Sequence, residues 1–210
     1  MSPRRSSRPE RADDILASAA KLFEAKGVRA VSIDDIVQGA GIAKGTFYLY
    51  FKTKDDLLAR LADAVVADMA AAAQQAGRGS GDALDRFARA VMAMQQVDRS
   101  RHYLVDALNH PENSVLHDLT NTALVRQLAP VLAEIVELGK EEGAFEVEDA
   151  QATLEFLLAG QAALLGGGRF NWTPAEHAAR MRATLIIIER ALGTAKGALM
   201  ARLASLGDTP

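Results

Sequence analysis

At 210 residues the chain can form one or two domains with a sizeable core, and 49% hydrophobic with 24% charged residues excludes a disordered or fibrous protein. With no cysteine, disulfide scaffolds and thiolate chemistry are excluded, which fits a reducing cytoplasm. A net charge of −3 argues against nucleic acid as a partner of the whole surface, yet residues 1–60 carry eleven Lys/Arg against eight Asp/Glu, leaving −6 on the remainder, so a basic head joins an acidic body.

The opening MSPRRSSRPERADD has arginines but no apolar stretch, so it is not expected to be a signal peptide. Residues 1–10 read as a flexible basic arm; Arg4, Arg5, Arg8 and Arg11 suit a plain tail and a DNA-touching arm equally. From 11 to 26, Ile15, Leu16, Ala19, Leu22 and Phe23 recur at the spacing of an amphipathic helix that Gly27 is placed to end. Ser32 is the N-cap of a second, short helix, with Asp35 as its capping-box partner and Ile33, Ile36, Val37 and Ala40 as its buried stripe. A tight turn at Gly39 to Gly41 leads to a third helix, predicted over 43–51. Thr53 then caps a long helix to about residue 76, with Asp55 and Asp56 favourably placed in its first turn. After the loop GRGSGD, helices are predicted over 82–96, 102–108, 113–140 with a bend near Pro130, 148–165, 174–192 and 194–206. No strand pattern of convincing length occurs, so the fold class is all-α. The longest apolar run, 156–168, is broken by Gln161 and is shorter than the roughly 18 residues of a membrane span.

The third helix concentrates four aromatics in AKGTFYLYF, although aromatics make up 5% of the chain. Ala43, Phe47 and Phe51 stand at i, i+4 and i+8 and form an apolar stripe suited to Leu22, Phe23 and Ile36. Lys44, Gly45, Tyr48 and Leu49 fall largely on the other side. Three short helices joined by tight turns make a helix-turn-helix unit whose third helix enters the major groove. Lys44 can meet a phosphate or a guanine edge, Tyr48 can donate to phosphate, and Leu49 can touch a thymine methyl. Gly45 lets the backbone approach DNA, at a helix cost of about 1 kcal/mol relative to alanine.

The stretch GIAKGTFYLYFKTKDDLL, continued backward through ILASAAKLFEAKGVRAVSIDDIVQGAG, resembles the TetR family of bacterial transcriptional regulators over roughly the first 60 residues. The resemblance implies a homodimeric regulator, most often a repressor, that binds a palindromic operator and responds to a small-molecule effector held in a C-terminal helical domain. It also implies DNA contact by Ser32, Lys44, Gly45, Thr46, Tyr48, Tyr50 and Lys54. Ala43 departs from a frequent serine, which removes an N-cap hydroxyl worth about 1 kcal/mol, and Leu49 departs from a frequent tyrosine. The expected boundary lies at residue 53, with 1–53 as the DNA-binding head and 54–210 as the effector-binding and dimerising body.

Consecutive apolar residues in EFLLAGQAALL and LIII surround most of a helix's circumference, more than one subunit can cover. These two helices are therefore expected to form a four-helix interface across a twofold axis, with Leu157, Leu158, Gln161, Leu165, Leu185 and Ile188 in it. Apolar walls with a few polar anchors for an effector are expected from Met92, Met94, His102, Tyr103, Asn109, His117, Phe156, Phe170 and Trp172. His102, His110 and His117 do not have the spacing of a helical metal-binding pair, and no metal or other cofactor is expected. GGGRF at Gly166 has no accompanying Walker lysine or preceding strand and reads as a helix-ending turn. Rival readings are an all-α enzyme or small-molecule carrier with a non-regulatory head, which need not bind DNA by sequence, and a DNA-compacting protein, which would show no sequence preference.

Overall fold

The structure, a computed structural model, describes residues 8–100, 114–166 and 170–207. Those residues form nine α-helices and no strand: α1 Arg8–Lys26, α2 Ile33–Gly39, α3 Lys44–Tyr48, α4 Lys54–Gly77, α5 Ala83–Ser100, α6 Ser114–Glu141, α7 Ala150–Leu165, α8 Pro174–Ala191 and α9 Ala198–Gly207. The all-α expectation holds. No described helix is long and apolar enough to cross a membrane.

The head assembles as its sequence dictates. Ile15, Ala19 and Phe23 of α1 are fully buried, one turn apart on one side. Ser32 caps α2 by accepting the Asp35 N–H at 3.1 Å, while the Asp35 carboxylate accepts the Ser32 N–H at 2.8 Å, closing the capping box. Helices α1 and α2 cross closely at Gly39, where a Cβ would stand 2.8 Å from Ser18 Oγ and 3.3 Å from a Leu22 methyl. Gly41 then takes φ +63°, and the Ile42 N–H returns to the Val37 carbonyl at 3.0 Å, turning the chain into α3.

Helix α4 links head and body. Thr53 accepts the Asp56 N–H at 3.0 Å and Asp56 accepts the Lys52 N–H at 2.9 Å, so the start of α4 is fixed from both sides. Its near end packs against α1 and its length against α5 and α6. Leu57, Leu58, Leu61, Val65, Val66 and Met69 carry the buried stripe from one into the other. The body adds α6, in which Pro130 lies among buried Leu128, Ala129, Leu132 and Ala133, followed by α7 and α8, capped by Asp149 and by a Thr173–Glu176 capping box. Helix α9 packs on α5 and α8. Its N-terminal amides, Gly197, Leu199 and Met200, donate to the buried carboxylate of Glu189 at 2.8, 3.0 and 3.2 Å.

Two predicted boundaries shift for local reasons. Helix α3 closes at Tyr48 rather than 51, because the Leu49 N–H bonds the Thr46 carbonyl at 3.2 Å and tightens the chain into a turn before α4. The last helix starts at Ala198 rather than 194, since Gly193 and Gly197 occupy positive φ between the two. The predicted helix 102–108, with His102, Tyr103, Asn109 and His110, lies outside the described residues, as do Arg4 and Arg5. Gly166 does end α7, its N–H returning to the Ala162 carbonyl at 2.9 Å.

Candidate nucleic-acid interface

Helix α3 is seated by its aromatics. Phe47 is completely buried and Phe51 nearly so, their ring centroids 5.5 Å apart, and Tyr50 lies half-buried against the same core. Tyr48 stands edge-on to Phe47 at 5.5 Å yet is half exposed, and Leu49 is 69% exposed. Lys44 and Gly45 are exposed with them, and Thr46 is half-buried. Nothing stands within 4 Å of where a Cβ at Gly45 would be, so its backbone is open to a partner. Ala43 corrects the sequence reading: it does not extend the apolar stripe but is exposed, at the N-cap of α3 with no side-chain cap bond.

Three of the expected DNA contacts are engaged within the protein. The Lys44 ammonium lies 2.8 Å from Asp34 Oδ1 and 3.1 Å from Oδ2, tying α3 to the first turn of α2, and this bond holds the lysine pKa above its ordinary value. The Ser32 hydroxyl both donates to Asp35 and accepts its N–H; these bonds hold the Asp35 carboxyl below its ordinary pKa. Lys54 turns inward. Its ammonium donates to the Val28 carbonyl and, at 2.6 Å, to the Val31 carbonyl, and sits 5.7 Å from the centre of the Phe23 ring. Partial burial depresses its pKa, and its side chain joins α4 to the α1–α2 turn instead of facing outward with Tyr48.

In the body the described members of the expected effector set lie on α5, α6, α7 and the segment leading into α8. Met92 and Met94 are half-buried on α5, with Met94 against the core. His117 is buried on α6, its Nδ1 3.0 Å from the Asn121 amide nitrogen, while Nε2 has no hydrogen-bond partner among the described residues. Phe170 stacks on Trp172 at 5.1 Å, the Arg180 guanidinium lies 3.4 Å from the Trp172 ring centre, and Trp172 donates to the Leu164 carbonyl at 3.0 Å. That group joins the end of α7 to α8. Phe156 stands 79% exposed on α7.

All six residues expected at a subunit interface lie on α7 and α8. Leu157 is buried, Leu158 and Ile188 pack on the core, and Gln161, Leu165 and Leu185 are half-buried. The outward face of α7 carries Ala152, Phe156, Ala159, Gly160 and Ala163, and that of α8 carries Ala179, Ala183, Ile186 and Ile187. The first set recurs at i, i+4, i+7, i+8 and i+11, a stripe of mostly small residues along one side of the helix. Asp34 was missed because nothing periodic relates it to Lys44 across an intervening turn.

A short exposed helix, seated by buried aromatics on two supporting helices, defines a helix-turn-helix protein, here with an all-helical body. Residues 15–61 match the family model described as bacterial regulatory proteins, tetR family, and residues 95–185 match the tetracyclin repressor-like C-terminal domain. The chain belongs to the tetR family. It is similar to the HTH-type transcriptional regulator EthR of Mycobacterium tuberculosis, 46% identical over 72 residues, 32% of this chain and 33% of that one. EthR of Mycolicibacterium smegmatis is 44% identical over 66 residues, 30% of each chain. These matches thus span about a third of the curated relatives' length. The solved structure of RolR in complex with resorcinol aligns over 99% of this chain and 97% of its own with a TM-score of 0.68 at 22% identity, a likeness of fold.

Proposed function

We propose that the protein is a ligand-responsive transcriptional repressor that binds a palindromic DNA operator as a homodimer in the cytoplasm, acting by binding and not by catalysis. In this reading residues 1–53 are the DNA-binding head and 54–210 the effector-binding and dimerising body. The observation that carries it is the outward face Lys44, Gly45, Tyr48 and Leu49, held rigidly by buried Phe47 and Phe51. The unpartnered apolar faces of α7 and α8 support a four-helix dimer seam, which would set two heads at successive half-sites. Neighbours of the same fold, RolR solved with resorcinol and the flavonoid-responsive regulator FrrA, support a small, largely apolar effector in the body. Effector binding would act through α4, which begins one turn after α3 and packs along α5 and α6.

The test is selection from a genomic fragment library at two salt concentrations. One enriched palindrome is expected; salt-labile retention without enrichment would favour a non-specific DNA binder. Lys44→Ala and Tyr48→Phe should weaken binding to the selected fragment without altering dimer mass. Coupling is reciprocal, so an effector that releases DNA must bind the DNA-loaded dimer more weakly; equal affinity with and without operator would count against this reading.

A further inference from the structure

We infer that Asp34, by pairing with Lys44, makes that lysine a reader of a guanine edge rather than a clamp on phosphate, and so is a specificity-determining residue of the head. The inference rests on the DNA-binding reading above and deepens it. Lys44 opens α3 and Asp34 stands in the first turn of α2, with the ammonium within 2.8 and 3.1 Å of the two carboxylate oxygens. Both side chains remain accessible, 53% for the lysine and 69% for the aspartate, on the same edge of the head as Gly45 and Tyr48. Asp34 is free of the capping box, which Asp35 closes, so its carboxylate is not required to start α2.

The consequence is electrostatic. An ammonium has three N–H donors; a carboxylate takes one or two of them, leaving at least one for a ligand. The pair as a whole is neutral. A phosphate oxygen arriving about 3 Å from the ammonium also comes within about 5 Å of the Asp34 carboxylate, and because Coulomb energy falls as 1/r the repulsion removes roughly three-fifths of the attraction. Guanine O6 and N7 carry no net charge. They accept the remaining N–H through a short-range bond that Asp34 opposes far less. The raised lysine pKa keeps the donor protonated throughout the neutral range.

The experiment compares the full-length protein, Asp34→Asn, Lys44→Ala and the double variant on the selected operator and on a scrambled duplex of equal length and composition, across a salt series. Circular dichroism melts verify that each variant is folded. Asp34→Asn should free Lys44 for phosphate, steepening the dependence of log K on log salt by about 0.9 per half-site on both duplexes. It should also tighten the scrambled duplex about three- to tenfold at low salt and so shrink the specificity ratio. That gain should vanish in the Lys44→Ala background. Lys44→Ala alone should leave the salt slope nearly unchanged and relax preference at one G·C pair per half-site. The inference is overturned if Lys44→Ala flattens the slope by about one per half-site and weakens all sequences alike, or if the Asp34→Asn gain persists without Lys44. Failure of the native protein to bind either duplex would overturn the reading of the head itself, and this inference with it; the scrambled duplex tests the slopes even where no operator has been selected.

Discussion

Gly45 and Lys54 both adjoin the proposed groove face, yet substitutions at the two are expected to act in opposite ways. Alanine at Gly45 meets no neighbour within 4 Å, so in the free protein it should gain about 0.5–1 kcal/mol of helix stability. The same methyl would stand between α3 and the groove. Gly45→Ala is therefore expected to raise the melting temperature while weakening operator binding, a combination that a merely structural glycine would not give. Lys54→Met leaves the Val28 and Val31 carbonyls without their shared donor, at a cost of about 1–3 kcal/mol. Denaturant titration should show that loss, while the salt slope of DNA binding should lack the drop expected on removing a phosphate contact.

Helix starts give the pH dependence. Asp35 is held below its ordinary pKa by its bonds to Ser32, and Glu176 by its bonds to Thr173. A carboxyl whose folded pKa lies below its unfolded one adds stability above the unfolded value and loses it as pH falls through the folded one. Thermal stability is thus expected to decline from about pH 4 downward, and Ser32→Ala should remove about 1 kcal/mol at neutral pH and lessen that decline. These starts were legible in the sequence because a capping box is a local pattern of residue types: Ser32 with Asp35 named α2 before any fold was considered. The burial of Phe47 and Phe51 followed equally from helical spacing. Lys54 could not be read this way, since its carbonyl partners lie more than twenty residues away and become neighbours only after α1 and α4 pack. The outward faces of α7 and α8 were not legible in the same way. Hydrophobicity marked Leu157 and Ile188 as buried but did not distinguish the protomer's own core from a partner's surface; in the protomer Leu157 is buried where α7 packs between α6 and α8.

At the scale of the whole molecule, a twofold seam through Phe156, Ala159, Gly160, Ile186 and Ile187 would make operator affinity depend on protomer concentration. Phe156→Arg or Ile187→Arg changes a residue already exposed in the protomer, so helix content should persist while light scattering gives half the native mass, and operator binding should fall with it. A native protein of monomer mass would remove the seam. The C-terminal end carries another whole-molecule constraint, in the carboxylate of Glu189 that lies inside the body with the amides of Gly197, Leu199 and Met200 around it. Helix α9 cannot detach alone without breaking all three of these hydrogen bonds, so α8 and α9 should open together. In hydrogen exchange the Leu199 and Met200 amides should then protect as long as those in the last turns of α8. Shortening the chain to residue 196 should cost the α8 seam its support rather than trim an idle tail.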